Sequence, residues 1–169
     1  MSGLLRLGLV FGLLALAAPV PLRADDHFVD YDTDFNFSTL KTFTIGMGAI
    51  ASDAPELDNP ITRKGIANSI RSKLLAKKLA ESTTLPTDLV VNWSVGAEPE
   101  RGSRAVTPGR PRRVPFTYTK GTIVITMTTS QSQLVWHGTY RDDEPNPSKI
   151  AEQLPKHVAK LLDEFPPRK

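Results

Sequence analysis

The most pointed chemistry in this chain lies in three consecutive residues, Asp25, Asp26 and His27. If a leader is removed after Ala24, the new terminal amine, two backbone amides and the His27 imidazole have the spacing to wrap Cu(II) or Ni(II) in a square plane. The competing use of His27 is simply to enter a first strand. A second group is cationic: Arg101, Arg104, Arg110, Arg112 and Arg113, followed by Phe116 and Tyr118. Cations mixed with aromatics suit polyanions, and nucleic acid is one such partner in other settings. The third group is Asp142, Asp143 and Glu144. It has neither the spacing nor the glycine turn of a calcium loop, so the expectation is a solvated turn leading into Pro145.

Other chemistries are missing. The chain of 169 residues contains no cysteine, which excludes disulfides, thiolate metal sites, a cysteine nucleophile and a lipid carried on an N-terminal cysteine. No Gly-x-Ser-x-Gly motif occurs, and neither His137 nor His157 is tied by a signature to a nucleophile. Gly102 and Gly109 sit among arginines rather than between a strand and a helix, so no phosphate cradle is expected. No catalytic residue and no cofactor is assigned, and the expectation is a protein that is not an enzyme.

These groups must be placed by the rest of the chain, beginning with its address. Arg6 is the sole charge before an apolar run from Leu7 to Ala18, and Pro21-Leu22-Arg23-Ala24 ends in a small residue followed by two acids. That is the pattern of a cleaved signal peptide over residues 1–24, too short for the roughly 20 apolar residues of a membrane span. Its removal takes the 21 basic residues to 19 against 18 acidic ones, so the formal charge falls from +3 to about +1. Residues 25–169 then suffice for one domain. The expected location is periplasmic or secreted, with the protein soluble, not lipidated, and without a transmembrane segment.

Within that domain His27 to Asp32 alternates as a half-buried strand, and aromatics lead through a turn into a second strand ending at Gly46. Asp58 or Asn59 caps a helix with Pro60 at its first position, with Ile66, Ile70 and Leu74 on its apolar side. Its other side carries Lys64, Arg71 and Lys78, with Arg63, Lys73 and Lys77 nearby: a solvated face or a surface for anionic lipid. A strand over 88–95 follows. Four prolines, two glycines and five arginines then break all periodicity over 98–115, which is expected to be a flexible loop. Phe116 to Thr129 and Leu134 to Tyr140 form an antiparallel hairpin, with Leu134, Trp136 and Tyr140 on one face. A last helix carries Ile150, Leu154, Val158, Leu161, Leu162 and Phe165. Pro155 lies inside this pattern and either kinks the helix or marks the first turn of its regular part; the favoured expectation is the latter, after a loosely wound entry over 148–153. The sum is an α+β two-layer sandwich, a mainly antiparallel sheet of about five strands with two helices packed on one face.

The motifs Val29-Asp30-Tyr31-Asp32, Asp34-Phe35, Leu40-Lys41-Thr42-Phe43, Asp88-Leu89-Val90-Val91-Asn92-Trp93, Gly121-Thr122-Ile123-Val124-Ile125, Leu134-Val135-Trp136-His137-Gly138 and the ending Val158 to Pro167 together resemble the domain of unknown function 4136 family. The resemblance covers nearly all of residues 25–169. It implies an exported bacterial envelope protein with an α+β fold and no assigned reaction. Many members are lipoproteins, and this chain departs from them in lacking the lipidated cysteine. It also has Glu81-Ser82-Thr83-Thr84 where a Gly-aromatic ending is usual after the first helix.

The functional expectation is a non-catalytic binding or structural module of the cell envelope. Export makes nucleic acid an unavailable partner. The arginine group then meets anionic envelope components or another envelope protein. The rival class is a small-ligand binder, with either the Cu/Ni site at Asp25, Asp26 and His27 or an apolar ligand between sheet and helices beside Trp93, Ile123, Ile125 or Trp136. Both tryptophans are expected to fill the core or its edge rather than line a ligand pocket.

Overall fold

The computed structural model describes residues 26–106, 112–144 and 146–166, with side chains for all of these except 99–119. The proposed leader therefore lies outside the described residues. Seven strands and two long helices occur: β1 (Asp26–Tyr31), β2 (Thr42–Ile45), β3 (Ala49–Ala51), α1 (Pro60–Ala76), β4 (Ala80–Glu81), β5 (Leu89–Val106), β6 (Arg112–Thr128), β7 (Leu134–Asp142) and α2 (Pro147–Asp163). They form one sheet in the order β1-β7-β6-β5-β2-β4, with β3 also beside β5.

The α+β class, the two helices and the central hairpin agree with the sequence reading, but the sheet is larger and mixed. β1, β7, β6 and β5 run antiparallel, whereas β2 and β3 pair β5 in parallel and β4 pairs β2 in parallel. β3 and β4 are three and two residues long, too short to leave a periodic signal. The chain steps from β2 to β3 through Gly46-Met47-Gly48, and a side chain on Gly48 would meet the Trp93 ring at 1.9 Å. Asp88 ties the parallel pair at its start. Its Oδ2 accepts from the backbone N–H of Lys41 and Thr42, both at 2.8 Å, while its own N–H donates to the Thr42 hydroxyl at 3.0 Å. These bonds to the charged form hold the Asp88 carboxyl below its ordinary pKa.

Both helices cover one face of the sheet. The core joins Ile66, Ile70 and Leu74 of α1 and Ile150, Leu154, Val158, Leu161 and Leu162 of α2 to Leu89, Val91, Trp93, Val95, Ile123, Ile125 and Met127. Asn59 caps α1 by accepting from the N–H of Ile61 and Thr62, each at 2.9 Å. Asn146 caps α2, accepting from Ser148 at 3.0 Å. The second helix is regular from Pro147, so the expected loose entry is corrected: Pro155 lies inside the helix. A proline removes one intrahelical donor, and here its neighbourhood is used. Ser69 donates to the Pro155 carbonyl at 2.6 Å, and Gly65 of α1 leaves room for the ring. The hairpin also departs in detail. The register shifts between Met127 and Thr128, so Val135 and Trp136 are both buried and Leu134 is exposed.

The expected flexible loop over 98–115 is corrected where its backbone is described. The β5–β6 ladder continues from Glu98↔Lys120 to Val106↔Arg112. Beyond Gly96 and Gly121 no third strand is paired to it among the described residues. Each strand there has a free edge, where a proline's missing N–H costs no ladder bond, so Pro99 and Pro115 fit opposite Thr119 and Ser103. The ten residues from Ala97 to Val106 extend this two-stranded arm by roughly 30 Å at about 3.3 Å per residue.

Candidate functional site

Two regions place chemistry outside the core, and the arm is the first. Arg101 and Arg104 stand in β5 and Arg112 and Arg113 in β6, with Val106↔Arg112 and Ala105↔Arg113 as cross-strand partners. Arg110 lies outside the described residues. No acid occurs from 101 to 119. The hairpin thus sets Arg104 close to Arg112 and Arg113 across the ladder, with Arg101 further along the same arm.

The second region is the sheet face that the helices leave uncovered. Strand alternation puts Asp26, Phe28 and Asp30 of β1 on this face, opposite Arg141, Thr139 and His137 of β7. The rows continue to Thr122, Val124 and Thr126 of β6, and then to Gly96, Ser94 and Asn92 of β5. None of these twelve residues is buried. A concavity of about 400 Å³ is lined by Asp26, Phe28, His137, Thr139 and Arg141. Arg141 Nη1 lies 3.4 Å from Asp26 Oδ2, and the His137 ring nitrogen Nε2 lies 2.8 Å from the Thr139 hydroxyl. Phe28 is 59% exposed. A neighbouring concavity of about 320 Å³ shares His137 and is lined by Asp30, Tyr31, Asp32 and Leu134 among others.

The other candidates are placed as follows. Asp25 lies outside the described residues, and Asp26 and His27 open β1. His27 Nε2 is 2.8 Å from Glu164 Oε1, at the C-terminal end of α2. Consecutive amides of a strand point to opposite sides, so with Asp26 and His27 both paired to β7, one of their N–H groups faces that strand. Square-planar metal binding through both amides requires the end of β1 to peel away. Among the described residues, no three His, Asp or Glu side chains are grouped to hold a metal ion.

The turn at Asp142 to Glu144 is not simply solvated, which corrects the expectation. Glu144 is buried and accepts from the Asn146 N–H at 3.3 Å, because the turn folds under the start of α2. Asp142 Oδ2 is 3.9 Å from His157 Nε2, and that imidazole stacks on Tyr140 with centroids 3.9 Å apart. His157 and His137 fall on opposite faces of the sheet layer, one buried against the core and one on the open face. Half of the six cations on the polar side of α1 meet local acids. Arg71 grips Glu81 at 2.6 and 2.9 Å, Lys73 meets Asp163 at 2.6 Å, and Arg63 meets Asp58 at 2.8 Å. The Glu81 hydrogen bond raises the Arg71 pKa further, and burial lowers that of Lys77. Trp93, Ile123, Ile125 and Trp136 are packed in the core, and Trp136 meets Phe165 edge-to-face.

Sequence reading identified the arginines and missed the open face. The signal was present as the period-two run Thr122, Val124, Thr126, Thr128, but only pairing shows which strands stand beside it.

A two-layer α+β domain, with one sheet face uncovered among the described residues and a projecting hairpin, defines the class. The chain belongs to the family described as Domain of unknown function (DUF4136), which matches residues 27–167. A PDZ domain protein from Parabacteroides distasonis is similar in fold at 14% identity and a TM-score of 0.62, over 86% of this chain and 36% of that one. This chain thus spans about a third of that protein's length. A neuraminyllactose-binding hemagglutinin homolog from Helicobacter pylori is similar at 12% identity and a TM-score of 0.51, over 76% of this chain and 86% of that one. The sequence finds no match among curated proteins. No helix among the described residues is long and apolar enough to cross a membrane.

Proposed function

We propose that this protein is an exported, non-catalytic binding module of the bacterial cell envelope, whose β5–β6 arm docks onto phosphate-bearing anionic surfaces. The observation that carries this reading is the arm itself: five arginines between 101 and 113, no acid from 101 to 119, and a two-stranded backbone extending past the rest of the sheet. A projecting cationic element meets a charged surface without desolvating the folded body, and its attraction fades beyond a Debye length of about 8 Å at physiological salt. The rival cationic surface, α1, has three of its cations in ion pairs. Export rests on the leader pattern at residues 1–24.

The test is sedimentation of residues 25–169 with phosphatidylglycerol vesicles, phosphatidylcholine vesicles and lipopolysaccharide, across a salt series. Binding to the anionic surfaces should weaken as salt rises. Replacing Arg110, Arg112 and Arg113 by alanine should remove about 3 kcal/mol, on the order of a hundredfold in affinity. Equal binding to both vesicle types, or indifference to the triple replacement, rejects the arm as the contact. Recovery of the full-length chain in the cytosolic fraction rejects the envelope placement.

A further inference from the structure

The concavity on the uncovered sheet face has a different chemistry from the arm. Its wall is mostly hydrogen-bonding, with one apolar surface: the Asp26 and Arg141 side chains, the Thr139 hydroxyl and the His137 imidazole surround the exposed ring of Phe28. Asp26 and Arg141 largely offset each other at 3.4 Å, and Asp30 stands opposite His137 two rows on, so the site carries no excess of positive charge. An anionic ligand therefore finds no net attraction there. A neutral ligand with one apolar face and a rim of hydroxyls finds a stacking surface, a planar donor, a planar acceptor and a hydroxyl within one furrow. That is the description of a pyranose ring. The second concavity, of about 320 Å³, also has His137 in its lining. Thr122, Thr126, Ser94 and Asn92 continue the polar rows across strands spaced at about 4.8 Å.

We propose that the β1–β7 furrow is a binding site for a neutral oligosaccharide, with Phe28 as the stacking platform and Asp26 and Arg141 as the groups that bind ring hydroxyls. The roles follow from the donor and acceptor geometry of these side chains. Arg141 donates through its fork to adjacent hydroxyl oxygens, Asp26 accepts hydrogen bonds from hydroxyl O–H groups, and Phe28 covers the C–H face. The site uses none of the arm's arginines, so it stands or falls separately from the anionic-surface reading.

The test is titration of residues 25–169 with cellotetraose, maltotetraose and chitotetraose up to millimolar concentrations, followed by amide-resonance NMR, with an alginate tetrasaccharide as the charged comparison. The expected result is saturable shifts confined to β1 and β7 with at least one neutral sugar, and weaker or no binding of alginate. Phe28→Ala and Arg141→Ala should each weaken that binding by about tenfold, with unchanged thermal unfolding. Replacing Arg112 and Arg113 by alanine should leave it as it is. Absence of shifts with every neutral sugar overturns the proposal, as does tighter binding of alginate. A concentration-dependent dimer that Phe28→Ala dissolves also overturns it, by assigning the furrow to a second copy of the chain.

Discussion

The two halves of the β5–β6 hairpin share one continuous ladder and differ in almost everything else. In the proximal half, Val91, Trp93, Val95, Ile123, Ile125 and Met127 face the helices and are at most 6% exposed. That half is flanked by β2 and β3 on one side and β7 on the other. In the distal half, proline and arginine replace the alternating apolar residues, and no third strand is paired among the described residues. The comparison teaches that a ladder begun by a buried half can carry a strand pair into sequence that would not specify it alone. Register is set where the apolar period is strong. The distal residues need only avoid contradicting it.

The largest expected effect comes from breaking the proximal half. Ile125→Ala removes a fully buried side chain from the centre of the sheet and should cost about 2–5 kcal/mol, read from the urea midpoint at constant slope. Asp88→Asn sharpens the comparison at the edge of the same half, with a smaller effect. Its carboxyl is held below the usual pKa by backbone donors, so the stability it adds is present above about pH 4 and is lost as pH falls through the lowered value. The parent should therefore exceed the variant in stability at pH 7, and the gap should close in acid. Urea midpoints measured from pH 7 to pH 3 check the sign. The smallest effect belongs to the distal half: replacing residues 99–119 by an Asn-Gly turn should change stability by no more than about 0.5 kcal/mol. A large loss on that truncation would show that the arm supports the body.

Much of the body was legible in the chain. Asn59 followed by Pro60 announces α1, and the stripes Ile66-Ile70-Leu74 and Leu154-Val158-Leu161 are the faces that are buried. The arm was misread because prolines and glycines signal loops when every strand is assumed to need both edges. β3 and β4 were not foreseen because such short parallel strands are defined by their neighbours rather than by their own period. The furrow had no local signal at all. Asp26 and Phe28 meet Thr139 and Arg141 only after more than a hundred residues of intervening chain have folded.

By itself, then, the order of residues determined the helices, the inward face of each central strand, the absence of thiol chemistry and the leader pattern. Each of these depends on local period, capping or composition. Apart from the β6–β7 hairpin, tertiary structure alone decided which strand lies beside which, that His27 meets Glu164 and His157 stacks on Tyr140, and that among the described residues a row of threonines has no covering layer. Those outcomes depend on two helices being wide enough to cover one face of a seven-stranded sheet and no more. No window along the chain carries that geometric limit.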